Sequence, residues 1–333
     1  MSVVLEIEDL RTYFDTEGGL VKAVDGVSYT VEEGETLGLV GESGGGKSVT
    51  ALSGIRLIPT PPGRIVSGRV LYKGQDLLEL SLDGMRHIRG RAIGMIFQEP
   101  MTSLNPVLSI GRQLTEPLIT ELGLSKYDAN ARAHELLASV EISDPERRLA
   151  QFPHHFSGGM RQRVMIAMAL SCNPAVLIAD EPTTALDVTV QAQILELMQR
   201  LTEERGGALV IITHNLGVVA RYADRVNVMY AGKIVERSSA TAVYGDPRHP
   251  YTLGLMSSVP RLDLPVTERL VQVDGQPPNL VDLPPGCAFQ PRCPYAQEQC
   301  LEAVPELMQT VDNHYAACFI ADQLGAGAKA GQA

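Results

Sequence analysis

Gly41-Glu42-Ser43-Gly44-Gly45-Gly46-Lys47-Ser48 completes the pattern G-x-x-x-x-G-K-[ST], and the residues on either side suit it. Thr36-Leu37-Gly38-Leu39-Val40 is short and apolar, as a buried parallel strand should be. Val49 to Leu52 starts a helix. Strand, glycine-rich loop and helix form the context in which this pattern cradles phosphate. Gly41, Gly44, Gly45 and Gly46 let the backbone close in until its N–H groups face an anion. Lys47 then reaches the β- and γ-phosphates, and the Ser48 hydroxyl ligates Mg²⁺. A glycine-rich turn that carries Lys-Ser by coincidence is the competing reading. The loop alone leaves the fate of the nucleotide open.

The bulk numbers narrow the class. A chain of 333 residues holds one large domain with an appendage. A net charge of −11 gives a nucleic-acid partner no electrostatic support. No apolar run approaches the roughly 20 residues that span a bilayer, and Met1 to Asp9 has no apolar signal-like region. A cytosolic protein is expected, reaching a membrane only by docking on other chains. Of its 5 cysteines, Cys172 is isolated, whereas Cys287, Cys293, Cys300 and Cys318 cluster near the end. In a reducing compartment such a cluster points to metal rather than disulfides.

Val3 to Leu10 alternates like an edge strand, and Val21 to Val31 reads as a second strand broken by Asp25-Gly26. Gly68 to Tyr72 resumes a strand, Lys73 to Asp76 turns, and Ala92 to Phe97 is a strand ending at Gln98. Residues 99 to about 165 are mostly helical, with Ile110 to Leu122 and Ala129 to Val140 amphipathic. Ala175 to Ala179 and Ala208 to Thr213 are buried strands around a helix from Val188 to Glu204. Such alternation implies a parallel sheet covered on both faces. From about residue 245 prolines crowd and periodicity fades, giving a loop-rich appendage. Gly325 to Ala333 is a flexible tail.

Asp180 and Glu181 follow a buried strand, a costly place for two carboxylates unless a cation or proton partner sits there. Asp180 is placed to hold Mg²⁺, and Glu181 to polarise the water that attacks a γ-phosphate. Ser157-Gly158-Gly159 opens the helix from Arg161 to Leu170, a ready anion site at a positive helix end.

With these residues in order, the chain resembles an ATP-binding cassette (ABC) ATPase. The family signature Leu-Ser-Gly-Gly-Gln appears here with Phe156 and Met160 at its ends and Ser157, Gly158 and Gly159 intact. Gln98 matches the glutamine that senses Mg²⁺ and the lytic water. Ala185-Leu186-Asp187 matches the loop after the acidic motif, and His214 the histidine at the γ-phosphate. Either Phe14 or Tyr13 stacks on adenine, spacing favouring Phe14. The resemblance covers about residues 3–245. It implies an α/β P-loop NTPase with a RecA-like parallel sheet, an antiparallel β subdomain and a helical signature subdomain inserted at about 99–170. The cassette is expected over 1–248, a C-terminal extension over 249–324 and the tail over 325–333.

The resemblance further implies ATP and Mg²⁺, held by Ser48, Gln98 and Asp180, in a head-to-tail dimer. Each ATP lies between the phosphate loop of one subunit and the signature of the other, and closure and reopening drive membrane subunits. Phe97 to Pro106, Phe156 to Ala169 and Asp180 to Thr189 look like the oligopeptide/dipeptide importer ATPases, as do His249-Pro250-Tyr251-Thr252 and Pro284-Pro285-Gly286-Cys287. Partners implied are a paralogous ATPase, two transmembrane permeases and an extracytoplasmic solute-binding protein, with this chain peripheral on the cytoplasmic face of the membrane. Nickel and glutathione importers share this ATPase type. The spacing Cys287-x₅-Cys293-x₆-Cys300-x₁₇-Cys318 lacks the close pairs of zinc ribbons. Some members of the group carry [4Fe–4S] on these thiolates; Zn²⁺ and metal-free thiols are the alternatives. A soluble cassette ATPase of translation or DNA repair would fuse two cassettes or insert coiled coils, and a dead regulatory subunit would lack Lys47, Asp180, Glu181 or His214.

Overall fold

Apolar alternation at the start of the chain continues further than its pattern announces. In the computed structural model β1 runs Val3–Thr16 and β2 runs Gly19–Glu32, straight through Asp25-Gly26. Asp25 stays in the strand because its charge is met: Arg11 lies at 2.6 Å, Lys233 at 3.3 Å, and the Tyr13 hydroxyl donates to it at 2.8 Å. Burial works against that carboxylate, but Tyr13, Lys233 and Arg11 outweigh it and hold the group below its ordinary range.

The structure describes residues 2–98, 103–184, 187–257 and 273–324. The expected Ala185-Leu186 pair, Pro260 and Pro265, part of the segment after Gln98, and the tail from Gly325 lie outside them. The chain divides into two compact units. One comprises Met1–Leu5, Val31–Thr36 and Tyr72–Ile212; the other comprises Glu6–Thr30, Leu37–Leu71 and Thr213–Ala333.

In the first unit β6 (Ile93–Ile96), β7 (Val176–Asp180) and β8 (Ala208–Thr213) run parallel. All of β7 and β8 is buried, as a sheet with two covered faces requires. The helices Ile110–Thr120, Lys126–Ser139 and Gly158–Ala169 each start on a serine cap, with Ser109, Ser125 and Ser157 accepting a first-turn N–H. They bury Leu114, Leu118, Leu136, Leu137, Val164 and Ile166. A short helix at Leu82–Ile88, unforeseen in the sequence, starts on Ser81 in the same way.

In the second unit β3 (Thr36–Val40) pairs parallel with β9 (Arg225–Tyr230), and β10 (Lys233–Ser239) returns antiparallel. β4 (Gly63–Tyr72) lies beside β1, which has β2 on its other side. β12 (His314–Ala316) adds to β10, and β11 (Met308–Val311) to β12. The expected extension therefore continues the sheet of β3, β9 and β10 rather than hanging from it. Its Phe289 is buried with Val40, Val228, Tyr230, Val243 and Tyr251. Glu236 on β10 is fully buried and accepts from the Arg248 and His249 N–H groups at 2.7 and 3.0 Å, with the His314 ring nitrogen at 2.7 Å. A buried carboxylate needs such partners, and here both sides of the expected residue-248 boundary supply them. Among the described residues no helix is long and apolar enough to cross a membrane.

Candidate nucleotide site

The loop Gly41–Ser48 joins β3 to the helix Lys47–Gly54. Gly41 (φ 154°) and Gly46 (φ 96°) lie in backbone conformations that side chains strain to adopt. A Cβ on Gly41 would collide with the Met229 carbonyl, and one on Gly46 with that of Ala23. The loop thus needs glycine for close approach as well as for φ. Gly46 caps the helix without a side chain, so the first-turn amides point into the loop. Lys47 is buried, and its Nζ donates to the carbonyls of Gly41 at 2.8 Å and Glu42 at 2.9 Å. Ser43 and Gly44 are exposed at the rim and Ser48 is half-buried at the helix start.

Glu42, Tyr251 and Arg292 gather at the same loop, a meeting that no motif in the sequence announces. The Glu42 N–H donates to the Tyr251 hydroxyl at 2.7 Å, and its carboxylate takes both terminal nitrogens of Arg292 at 2.7 and 3.0 Å. These partners are 209 and 250 residues away in the chain, so no local pattern could reveal them.

The first unit holds the acidic residues. Asp180 ends β7 and is buried. Glu181 turns away at φ 44°, a left-handed conformation uncommon for this residue type and held by its N–H on the Ile212 carbonyl at 2.9 Å. One Glu181 carboxylate oxygen accepts from Gln98 Nε2 at 3.1 Å and from Thr184 Oγ1 at 3.0 Å. Two residues singled out separately in the sequence therefore meet. A carboxylate so oriented can hold a water and take its proton. Ser157 and Gly158 are exposed at the start of their helix, with the Ser157 hydroxyl accepting the Met160 N–H at 3.3 Å. Gly159 follows close to Val190, where a Cβ would come within 3.3 Å. Asp187 caps the helix Val188–Glu203 by accepting the Val190 N–H at 3.0 Å.

In the second unit His214 is exposed directly after β8, ahead of Asn215, which caps the helix Leu216–Tyr222. Neighbouring strand residues point to opposite sides. Tyr13 is tied by its hydroxyl to Asp25, whereas the half-buried Phe14 ring lies against Gly63.

Cys287, Cys293, Cys300 and Cys318 all border one small apolar cavity, with His249 and Phe289. The Cys287 N–H donates to the Cys300 carbonyl at 2.8 Å, an approach that leaves no room for a Cβ on Gly286. Burial pushes the Cys293 thiol up to about 11 and that of Cys318 to about 12, and raises Cys287 as well. Among the described residues no three His, Cys, Asp or Glu side chains are drawn together tightly enough to hold a single metal ion.

The family profile described as ABC transporter matches residues 24–184, and that described as oligopeptide/dipeptide transporter, C-terminal region, matches residues 235–300. The oligopeptide transport ATP-binding protein OppD of Bacillus subtilis is 53% identical over 94% of this chain and 87% of its own. The dipeptide transport ATP-binding protein DppD of the same organism is 50% identical over 97% and 96%. Among solved structures, the ATP-binding cassette MJ0796, dimeric in a post-hydrolysis state with ADP and Pi, aligns at TM-score 0.63 and 28% identity. It covers 71% of this chain and 98% of that one.

Proposed function

The chain belongs to the ABC transporter ATPases, in the group marked by the oligopeptide/dipeptide transporter C-terminal region, and we propose that its ATP hydrolysis drives peptide import through separate membrane chains. The observation that carries this reading is the extent of likeness to OppD and DppD, which runs through both the cassette and the extension. Phosphate is held by the amides of Gly44–Ser48 and by Lys47. The oxygen donors of Ser48, Gln98 and Asp180 suit Mg²⁺, which would neutralise phosphate charge there. Glu181 orients the water and accepts its proton as the water oxygen bonds to the γ-phosphorus and the bond to ADP breaks. His214 contacts the γ-phosphate. Phe14 stacks on adenine, since Asp25 holds the Tyr13 hydroxyl. The cassette occupies 1–248 and the extension 249–324.

The partners are a paralogous ATPase, two permeases and an extracytoplasmic solute-binding protein, with this chain docked on the cytoplasmic side. Affinity purification of the intact complex tests this directly. Two co-purifying permeases and a second ATPase are expected; ribosomes or DNA in their place would contradict it.

Ser157, Gly158 and Gly159 face the nucleotide bound by the partner ATPase. Ser157→Arg then blocks the site completed by this chain's signature and leaves the other site competent. Ser157→Ala, which gives up the hydroxyl and with it a helix cap worth about 1 kcal/mol but adds no bulk, is expected to impair the same site less. Nucleotide trapping in complexes with a wild-type partner reads which site is lost. Loss at the phosphate loop of the mutated chain itself would contradict the head-to-tail arrangement.

The four thiols hold one [4Fe–4S] cluster. What supports one shared centre is the placement of all four thiols around a single cavity. The buried thiols must give up protons to bind it. Anaerobic purification with metal analysis is expected to give about four irons per chain. Zinc instead would replace the cluster by an ion, and metal-free thiols that alkylate freely in the folded protein would rule out both.

A further inference from the structure

Glu42 is bound on every side. Its carboxylate takes Arg292, its N–H goes to Tyr251, and its carbonyl accepts Lys47 Nζ at 2.9 Å and the Gly45 N–H at 3.2 Å. A single residue thus joins the phosphate-facing lysine, the loop backbone and the C-terminal extension. The Arg292 side chain is only 5% exposed and is fixed independently of Glu42. Its Nε donates to the Asp274 carbonyl at 2.8 Å, and its terminal nitrogens reach the Val273 carbonyl at 3.2 Å and the Tyr230 hydroxyl at 3.4 Å. The turn Gln290–Arg292 that carries it follows Phe289, which packs edge-on to Tyr230 and against Tyr251. The guanidinium is therefore preorganised, and an ion pair so sheltered and two-pronged is unlike the exposed pairs that contribute little.

We propose that Arg292 is a positioning residue for the phosphate loop: by fixing Glu42 it sets the backbone on which Lys47 and the loop amides are arranged, so that nucleotide affinity depends on the C-terminal extension. A loop of small residues has many backbone states of similar energy, and only one cradles phosphate. Anchoring its second residue from outside removes part of the ordering cost from nucleotide binding. A site that the cassette motifs describe completely on paper is, in this chain, finished by a residue next to Cys293.

The inference rests on the reading that residues 41–48 bind nucleotide. Titration of the full-length protein with a fluorescent ATP analogue and Mg²⁺ tests both, with Lys47→Ala as the reference. Glu42→Gln removes the carboxylate charge while changing no extension residue, and is expected to weaken binding about tenfold, as loss of a charge-assisted bidentate pair allows. Arg292→Ala is expected to match it, Arg292→Lys to recover part of the affinity, and Glu42→Gln/Arg292→Ala to bind no worse than the weaker single variant. Unchanged unfolding temperature and thiol accessibility show that the extension stays folded; if Arg292→Ala unfolds it, Glu42→Gln and Arg292→Lys decide. Wild-type affinity in those two variants, or losses that multiply in the double variant, would overturn the proposal while Lys47→Ala still fails to bind. Wild-type affinity in Lys47→Ala would instead remove the nucleotide reading of the loop.

Discussion

Glu181→Gln is expected to bind ATP like the parent chain and to turn it over at least about a hundredfold more slowly, the effect of removing a positioned general base. The replacement is nearly isosteric, so the left-handed turn at residue 181 and its anchor on Ile212 persist. The amide oxygen, placed where that carboxylate oxygen lies, still accepts from both Thr184 Oγ1 and Gln98 Nε2. What is lost is the capacity to take a proton from water. Phosphate release at saturating ATP, beside an ATP-binding titration, separates the two effects. Wild-type turnover would remove Glu181 from the mechanism.

Lys47→Ala acts on the other half of the site. Lys47 is buried with its ammonium between the Gly41 and Glu42 carbonyls, within the loop proposed to hold phosphate. Truncation deletes the one side-chain cation supplied by the pattern and, with it, a donor to the Gly41 and Glu42 carbonyls. Affinity for ATP is expected to fall by more than about tenfold, the value of a charge-assisted contact in a sheltered site. Equilibrium titration with ATP and with adenosine separates phosphate recognition from base stacking. Adenosine binding should be unaffected, and equal losses for both ligands would point to collapse of the loop instead.

The elements that carry the proposed nucleotide site are legible because their signals are local. β3, the glycine loop and the following helix adjoin in sequence, and Asp180 and Glu181 announce themselves as charges after a buried strand. Caps at Ser157 and Asp187 are equally local. What escaped depends on distant chain. β9 carries Asn227 within its apolar run, and β10 carries Glu236 and Arg237, so neither reads as a core strand. Glu236 becomes tolerable only through the Arg248 and His249 N–H groups and His314, the last from 78 residues away. β11 is too exposed, and β12 with 3 residues too short, for alternation to show. The proline-rich extension looked coreless for that reason; Phe289 instead shares the core of β3, β9 and Tyr251. The Glu42–Arg292 pair is invisible in the same way, because an ion pair spanning 250 residues leaves no periodic trace.

Uptake measured in the host cell carrying chromosomal Glu181→Gln tests the central claim most directly. The account predicts that accumulation of labelled di- and oligopeptides falls to the level of a strain lacking the chain, while uptake of free amino acids, nickel and glutathione is unchanged. Undiminished peptide uptake, with loss confined to nickel or glutathione or absent altogether, would contradict it.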